Sequence, residues 1–446
     1  MFTGGTVRVI VVGAAIFAGA PQRGSGQTTG GQLEARAVSA SDTTQKYALY
    51  LPPGYTTERQ WPILFVLDPR GQALSALKLF QKAASEVGWV VMSSYNSRSD
   101  SSTELTEQAM ETMLRSAQER VSVDRSRIYL AGFSGTARLV LWFTVPLRGN
   151  IAGVIAVGGA LGLERDGPET VFAGDSAFAY FGAAGRLDFN HDEVLAMADR
   201  FGALHIPFRV AVFDGPHSWP PPDVCGQAIE WLELRAMRGG RRASDSAWVR
   251  VQLNTDLARA AKLERLGQSD EALRLYEAVT RDYPPSGETS RAAEHAAVLR
   301  GTPAIKRYRA KAHKLAEADE DRIREMHRVL SWARSAHDRP TTDALVRKLK
   351  IAKLKETAER GDSLEAASAE RLLARIFAML AFYEPRTYIT QQSPSRALAM
   401  LEAATRIAPL EGESCALLQA ALKAAPAERQ PGFEEQCTPA GAEAAR

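Results

Sequence analysis

Cysteine is scarce in this chain: Cys225, Cys415 and Cys437 are its only three among 446 residues. None stands in a Cys-x-x-Cys pair or at a zinc-ligand spacing from histidine, which excludes a zinc-organised fold or a disulfide framework. An oxidising compartment would let Cys415 bridge Cys437 and leave Cys225 free; three idle buried thiols are the alternative. A surplus of one charge is missing too. Lys+Arg 55 against Asp+Glu 52 leaves a net charge of +3, which gives no footing for a nucleic-acid partner or an anionic membrane. The chain has no Walker loop, no dinucleotide fingerprint and no His-Glu-x-x-His, so neither a cofactor nor a metal is expected.

The N-terminal apolar run is short. Val9–Ala20 spans twelve residues, less than the ~20 that cross a bilayer. With Arg8 before it and Ala18-Gly19-Ala20 at its end, residues 1–26 have the form of a secretory signal peptide. Export, to the periplasm or outside the cell, is expected, with no stable membrane span after cleavage. Residues 27–44 read as a flexible leader, because Gly, Gln, Thr, Ala and Ser dominate there.

What is present has two parts, as a chain of this length requires. Over residues 45–238, apolar runs alternate with helical patterns. The strand candidates are Tyr47–Leu51, Pro62–Leu67, Trp89–Ser94, Ile128–Phe133, Val154–Gly158, Ala177–Gly182 and Phe208–Phe213. Runs such as Ile63-Leu64-Phe65-Val66-Leu67 are continuously apolar, as strands buried on both faces must be. The fold class predicted is α/β, a doubly wound, mostly parallel sheet. The basic, Gly-rich stretch after Met237 then breaks the alternation, and residues 239–246 read as a linker. Residues 247–446 read as helix. Gly267, Ala272, Tyr276, Val279 and Pro284, with Ala260 and Leu263 upstream, resemble a tetratricopeptide repeat. Ala397, Leu401, Ala404 and Pro409 match it in part. Repeat-like hairpins that could take a protein partner are expected; a non-repeating helical bundle is the alternative.

The chemistry concentrates in three loops. Ile128-Tyr129-Leu130-Ala131-Gly132-Phe133-Ser134-Gly135 runs a strand into a tight turn and then a helix. Such a turn lifts the Ser134 hydroxyl above the carboxyl edge of a sheet and aims the Gly135 N–H at a reacting carbonyl. A serine nucleophile needs a base, and the base an orienting carboxylate, in the order Ser, Asp/Glu, His for this arrangement. His205 precedes its strand, at the wrong edge. His217 follows Phe208–Phe213, and Asp188 follows the strand before that, so both fall on carboxyl-edge loops. Asp192 and Asp214 are alternative acids, less well placed.

Gly-Phe-Ser-Gly, Asp-Phe-Asn and Gly-x-His-x-Trp-Pro-Pro, with the opening Tyr47-Ala48-Leu49-Tyr50-Leu51-Pro52-Pro53-Gly54-Tyr55, resemble the secreted-esterase branch of the α/β-hydrolases. That branch includes feruloyl-esterase-like and polyhydroxybutyrate-depolymerase-like proteins. The resemblance covers about residues 45–238 and implies Ser134 as nucleophile, Asp188 as acid and His217 as base. Two departures stand out. Thr136 replaces the last Gly of Gly-x-Ser-x-Gly, which implies a looser strand–helix contact. Leu67-Asp68-Pro69-Arg70-Gly71 replaces the usual His-Gly loop; Pro69 has no N–H, so Arg70 or Gly71 is expected to complete the oxyanion hole with Gly135. Asp68, Tyr95 and Trp219 are substrate-pocket candidates. About eighteen residues separate Val154–Gly158 from Ala177–Gly182, too few for a large helical lid, so an open site is expected.

The leading reading is a cofactor-independent serine hydrolase of small-molecule or polymer-derived esters; peptide-bond cleavage uses the same machinery. The competing reading is an exported interaction module whose hydrolase-like domain is degenerate, for which Thr136 and Asp68 speak.

Overall fold

Ile63-Leu64-Phe65-Val66-Leu67 has no polar face to offer water, so it is stable only with both sides covered. In the computed structural model it forms the middle of an eight-stranded sheet. The structure describes residues 31–99, 102–161, 172, 178–336, 339–361, 363–425 and 437–438. The signal-peptide assignment at 1–26 and most of the segment expected to be too short for a lid lie outside the described residues. Two compact units make up the chain, residues 1–305 and 306–446.

The strands of the first unit are β1 (Gln32–Val38), β2 (Lys46–Leu51), β3 (Trp61–Leu67), β4 (Val90–Ser94), β5 (Val123–Phe133), β6 (Ile151–Val157), β7 (Ala179–Gly185) and β8 (Phe208–Phe213). They lie in the order β1-β2-β4-β3-β5-β6-β7-β8. The β1/β2 and β2/β4 pairs are antiparallel, and every pair from β4 onward is parallel. Side chains alternate between two cores. Leu64 and Val66 face α1 (Ala73–Val87) and α5 (Pro222–Arg238), whereas Ile63, Phe65 and Leu67 face α2 (Thr103–Arg120), α3 (Gly135–Phe143) and α4 (His191–Ala203). The fold is the expected doubly wound α/β arrangement.

The order of strands places a crevice. From β3 the chain crosses to β4 on one side, then returns to β5 on the other. Where connections diverge in this way, the loops at the carboxyl ends separate and leave room for a ligand. The β3 and β5 ends therefore frame the position of Ser134.

The reading of 27–44 as a flexible leader needs correction, because β1 occupies Gln32–Val38. This edge strand is exposed except at Ala37, so it carries no apolar alternation; backbone pairing to β2 holds it instead.

Beyond residues 239–246, α6 (Ser246–Arg265), α7 (Ser269–Asp282) and α8 (Gly287–Gly301) belong to the same compact unit as the sheet. Gly267 turns the chain between α6 and α7 at φ 76°, and Ala260, Ala272, Tyr276 and Val279 are buried there. A charge cluster joins these helices to β8. Buried Arg209 donates through Nη1 to Asp256 on α6 at 2.7 Å and through Nε to Asp282 on α7 at 3.0 Å. Trp231 Nε1 and the Tyr283 hydroxyl add bonds to Asp282 and Asp256, each 2.8 Å long. Burial alone would lower the Arg209 pKa, but Asp256 and Asp282 outweigh it and hold the guanidinium charged.

The second unit is helical: most of α9 (Pro303–Ser335), then α10 (Thr342–Lys348), α11 (Ile351–Ala358), α12 (Leu364–Ala378), a π-helical turn at Met379–Tyr383, α13 (Glu384–Thr390), α14 (Pro394–Thr405) and α15 (Glu413–Ala424). Leu330, Leu380, Ala397, Leu401 and Ala404 lie in its core. Two strands of two residues, β9 (Leu410–Glu411) and β10 (Cys437–Thr438), interrupt the helical reading; elements so short have no periodicity to detect. Cys415 and Cys437 are disulfide-bonded, with Cα atoms 5.6 Å apart. Cys225, in the first unit, is free and buried.

Candidate active site

β5 ends at Phe133 and α3 begins at Gly135, so Ser134 alone turns the chain. Its φ of 56° and ψ of −124° lie where a side-chain-bearing residue is strained by about 1–3 kcal/mol. The turn is held by the Ser134 N–H, which donates to the Val157 carbonyl at 2.8 Å. Gly135, as first residue of α3, has an N–H with no intrahelical acceptor, at the positive end of the helix dipole.

The loops after β7 and β8 bring the other two candidates to Ser134. His217 Nε2 is 2.8 Å from Ser134 Oγ, and Nδ1 is 2.8 Å from Asp188 Oδ1. Asp188 is fully buried. Its Oδ1 also accepts the Asn190 N–H at 2.7 Å, and its own N–H donates to the Gly185 carbonyl at 3.0 Å. The alternative acids go elsewhere: Asp192 pairs with His191 Nδ1 at 2.7 Å, and Asp214 accepts from Arg186 Nε at 3.0 Å. Phe133 and Phe189 pack on the His217 ring with centroids 4.6 and 4.1 Å away. Gly158 at the end of β6 has φ 54°; a β-carbon there would lie 2.7 Å from Asp188 Oδ2 and 3.2 Å from His217 Cε1. Only glycine leaves that space and adopts that φ at little cost.

Thr136 does not loosen the elbow. It is fully buried, and its hydroxyl lies 2.5 Å from the Leu67 carbonyl and 2.8 Å from the Phe133 carbonyl while accepting the Phe133 N–H at 3.1 Å. The close strand–helix approach falls at Gly132, where a β-carbon would stand 2.4 Å from the Thr136 carbonyl oxygen. The hydroxyl thus ties the turn to the last residue of β3.

Asp68 organises its loop. Its Oδ1 accepts the N–H groups of Arg70 at 2.8 Å and Gln72 at 3.0 Å, and its Oδ2 accepts Trp219 Nε1 at 2.8 Å. Its carbonyl accepts the Gly71 N–H at 3.1 Å and the Ser97 hydroxyl at 2.7 Å. The Arg70 and Gly71 amides are therefore both turned onto Asp68, contrary to the expectation that one of them completes an oxyanion hole. Trp219 packs against Phe133 and Phe80, beside the site. The Tyr95 hydroxyl donates to the Ala35 carbonyl of β1 at 2.7 Å, so it serves the sheet edge.

Sequence reasoning missed Gly158, Asn190 and the use of the Thr136 hydroxyl. The Gly158-Gly159 pair directly after a strand and the Asn of Asp-Phe-Asn were the available signals. Among the described residues no group of three or more His, Cys, Asp or Glu could hold a metal ion, and no helix is long and apolar enough to cross a membrane.

No protein family and no curated protein matches this chain. Solved structures similar to part of it include a substrate-bound fluorophosphonate-binding serine hydrolase of Staphylococcus aureus, at 14% identity and a TM-score of 0.37, over 46% of this chain and 98% of that one. An S-formylglutathione hydrolase from the same organism is similar at 13% identity and a TM-score of 0.37, over 48% and 99%. A feruloyl esterase module from Clostridium thermocellum, complexed with sinapinate, is similar at 15% identity and a TM-score of 0.35, over 45% and 86%.

Proposed function

We propose that this chain is a serine hydrolase of carboxylic esters, with Ser134 as nucleophile, His217 as general base and Asp188 as its orienting acid. The observation that carries the proposal is the pair of 2.8 Å contacts through the two nitrogens of His217, made by a serine held in a strained turn at a helix N-terminus. With Nδ1–H donated to Asp188, Nε2 is free to take the Ser134 proton as Oγ attacks the ester carbonyl. Positioned proton transfer of this kind contributes about 10²–10⁴ in rate. The Gly135 N–H then stabilises the tetrahedral oxyanion. Collapse expels the alcohol with the proton from His217, and water, activated by the same imidazole, releases the acid from the acyl-enzyme.

Small-molecule or polymer-derived esters are the substrate class proposed. Thr136 and Asp68, which spoke for a degenerate interaction module, have structural uses that an active enzyme equally needs. The N-terminal apolar run and the Cys415–Cys437 bridge support export. The packed α6–α7 hairpin supports the repeat-like reading of the helices. Hydrolysis of p-nitrophenyl acetate and longer p-nitrophenyl esters tests the proposal: the full chain should turn them over, and Ser134→Ala should not. An inert, folded wild type would defeat it.

A further inference from the structure

An oxyanion hole needs two convergent donors, and Gly135 supplies one. The loop after β3, the natural source of the second, has none to offer at 69–72. Pro69 has no N–H; those of Arg70 and Gln72 donate to Asp68 Oδ1, and that of Gly71 to the Asp68 carbonyl. Asp68 is itself buried and held by Trp219 Nε1 on its carboxylate and by the Ser97 hydroxyl on its carbonyl, so these amides face a fixed acceptor.

The loop after β4 crosses to the same place. The Ser99 N–H donates to the Pro69 carbonyl at 3.2 Å, fixing residue 99 against the β3 loop. A β-carbon on Gly135 would lie 2.4 Å from Ser99 Cβ and 2.9 Å from Ser99 Oγ, so the Ser99 side chain rests directly on the residue that gives the first donor. Ser99 is only half-buried, and its hydroxyl bonds to no other described residue. We propose, on the hydrolase reading above, that the Ser99 hydroxyl is the second oxyanion donor, taking the place of a backbone amide. As Ser134 Oγ adds to the carbonyl, Ser99 Oγ–H donates a hydrogen bond to the oxygen that gains charge; no proton is transferred and no bond to Ser99 forms. A side-chain donor, unlike an amide, can be removed by mutation.

Ser99→Ala and Ser99→Thr in the full chain test this with p-nitrophenyl acetate and with a trifluoromethyl ketone, which forms a charged tetrahedral adduct on the nucleophile. The Ala variant should lose about 10²–10³ in kcat, as loss of one such donor does, with KM and the melting temperature unchanged. It should bind the ketone at least about tenfold more weakly, and the Thr variant should recover most of both losses. A folded Ser99→Ala enzyme whose kcat and ketone affinity stay within about threefold of wild type would overturn the assignment while leaving the hydrolase reading intact. A wild type that neither hydrolyses the ester nor binds the ketone overturns both.

Discussion

Replacing Thr136 by Gly would restore the Gly-x-Ser-x-Gly pattern, yet the structure requires it to weaken the protein. The hydroxyl is buried, reaches the Leu67 carbonyl at 2.5 Å and accepts the Phe133 N–H at 3.1 Å. Removing it strands that N–H, at about 1–3 kcal/mol. Glycine in a helix adds about 0.5–1 kcal/mol of backbone entropy relative to Ala. The sum, about 1.5–4 kcal/mol, lowers the melting temperature of a unit spanning residues 1–305 by about 2–6 °C. Thr136→Val separates the two contributions, because it keeps the shape and removes only the hydroxyl; it should show the larger part of the loss. Thr136→Ser should show little. Because the bond joins the elbow to the end of β3, kcat should fall about tenfold in the Gly and Val variants, the scale of a small misplacement of reacting groups. Circular-dichroism melts and ester turnover on the four proteins read this out. A Thr136→Gly protein as stable and as active as wild type would refute the reasoning.

Gly158→Ala puts a methyl 2.7 Å from Asp188 Oδ2 at a φ of 54°; ester turnover should drop by at least about 10² with the far-ultraviolet spectrum unchanged, and full activity would show that His217 and Asp188 tolerate displacement. Glu271→Ala removes the α7 carboxylate that pairs with Arg186, a residue that also holds Asp214 and lies two positions before Asp188. The urea midpoint should shift by an amount equivalent to about 1 kcal/mol, with the slope unchanged, and kcat should fall a few-fold; an unshifted midpoint would mean the pair contributes nothing.

The strand–helix alternation over 45–238 could be read because β3 and β6 must be apolar on both faces, and their order then placed Ser134, Asp188 and His217 on one edge. β1 could not, since every side chain but Ala37 is exposed and no apolar alternation marks it. The fate of the Arg70 and Gly71 amides was equally hidden: residue type says whether an N–H exists, but the local backbone angles decide that it faces Asp68. Thr136 misled for a related reason, its size being visible and its hydrogen bonds not. The attachment of α6 and α7 to the sheet rests on Arg209, Asp256 and Asp282, which are far apart in sequence and share no periodic pattern.

Whether Ser134 is an activated nucleophile is decided most directly by treating the full chain with a fluorophosphonate and mapping the adduct by peptide mass spectrometry. One label per chain, on Ser134, absent in Ser134→Ala and slowed in His217→Ala, is the expected result. A folded protein that takes no label, or one that keeps it in Ser134→Ala, would contradict the central claim.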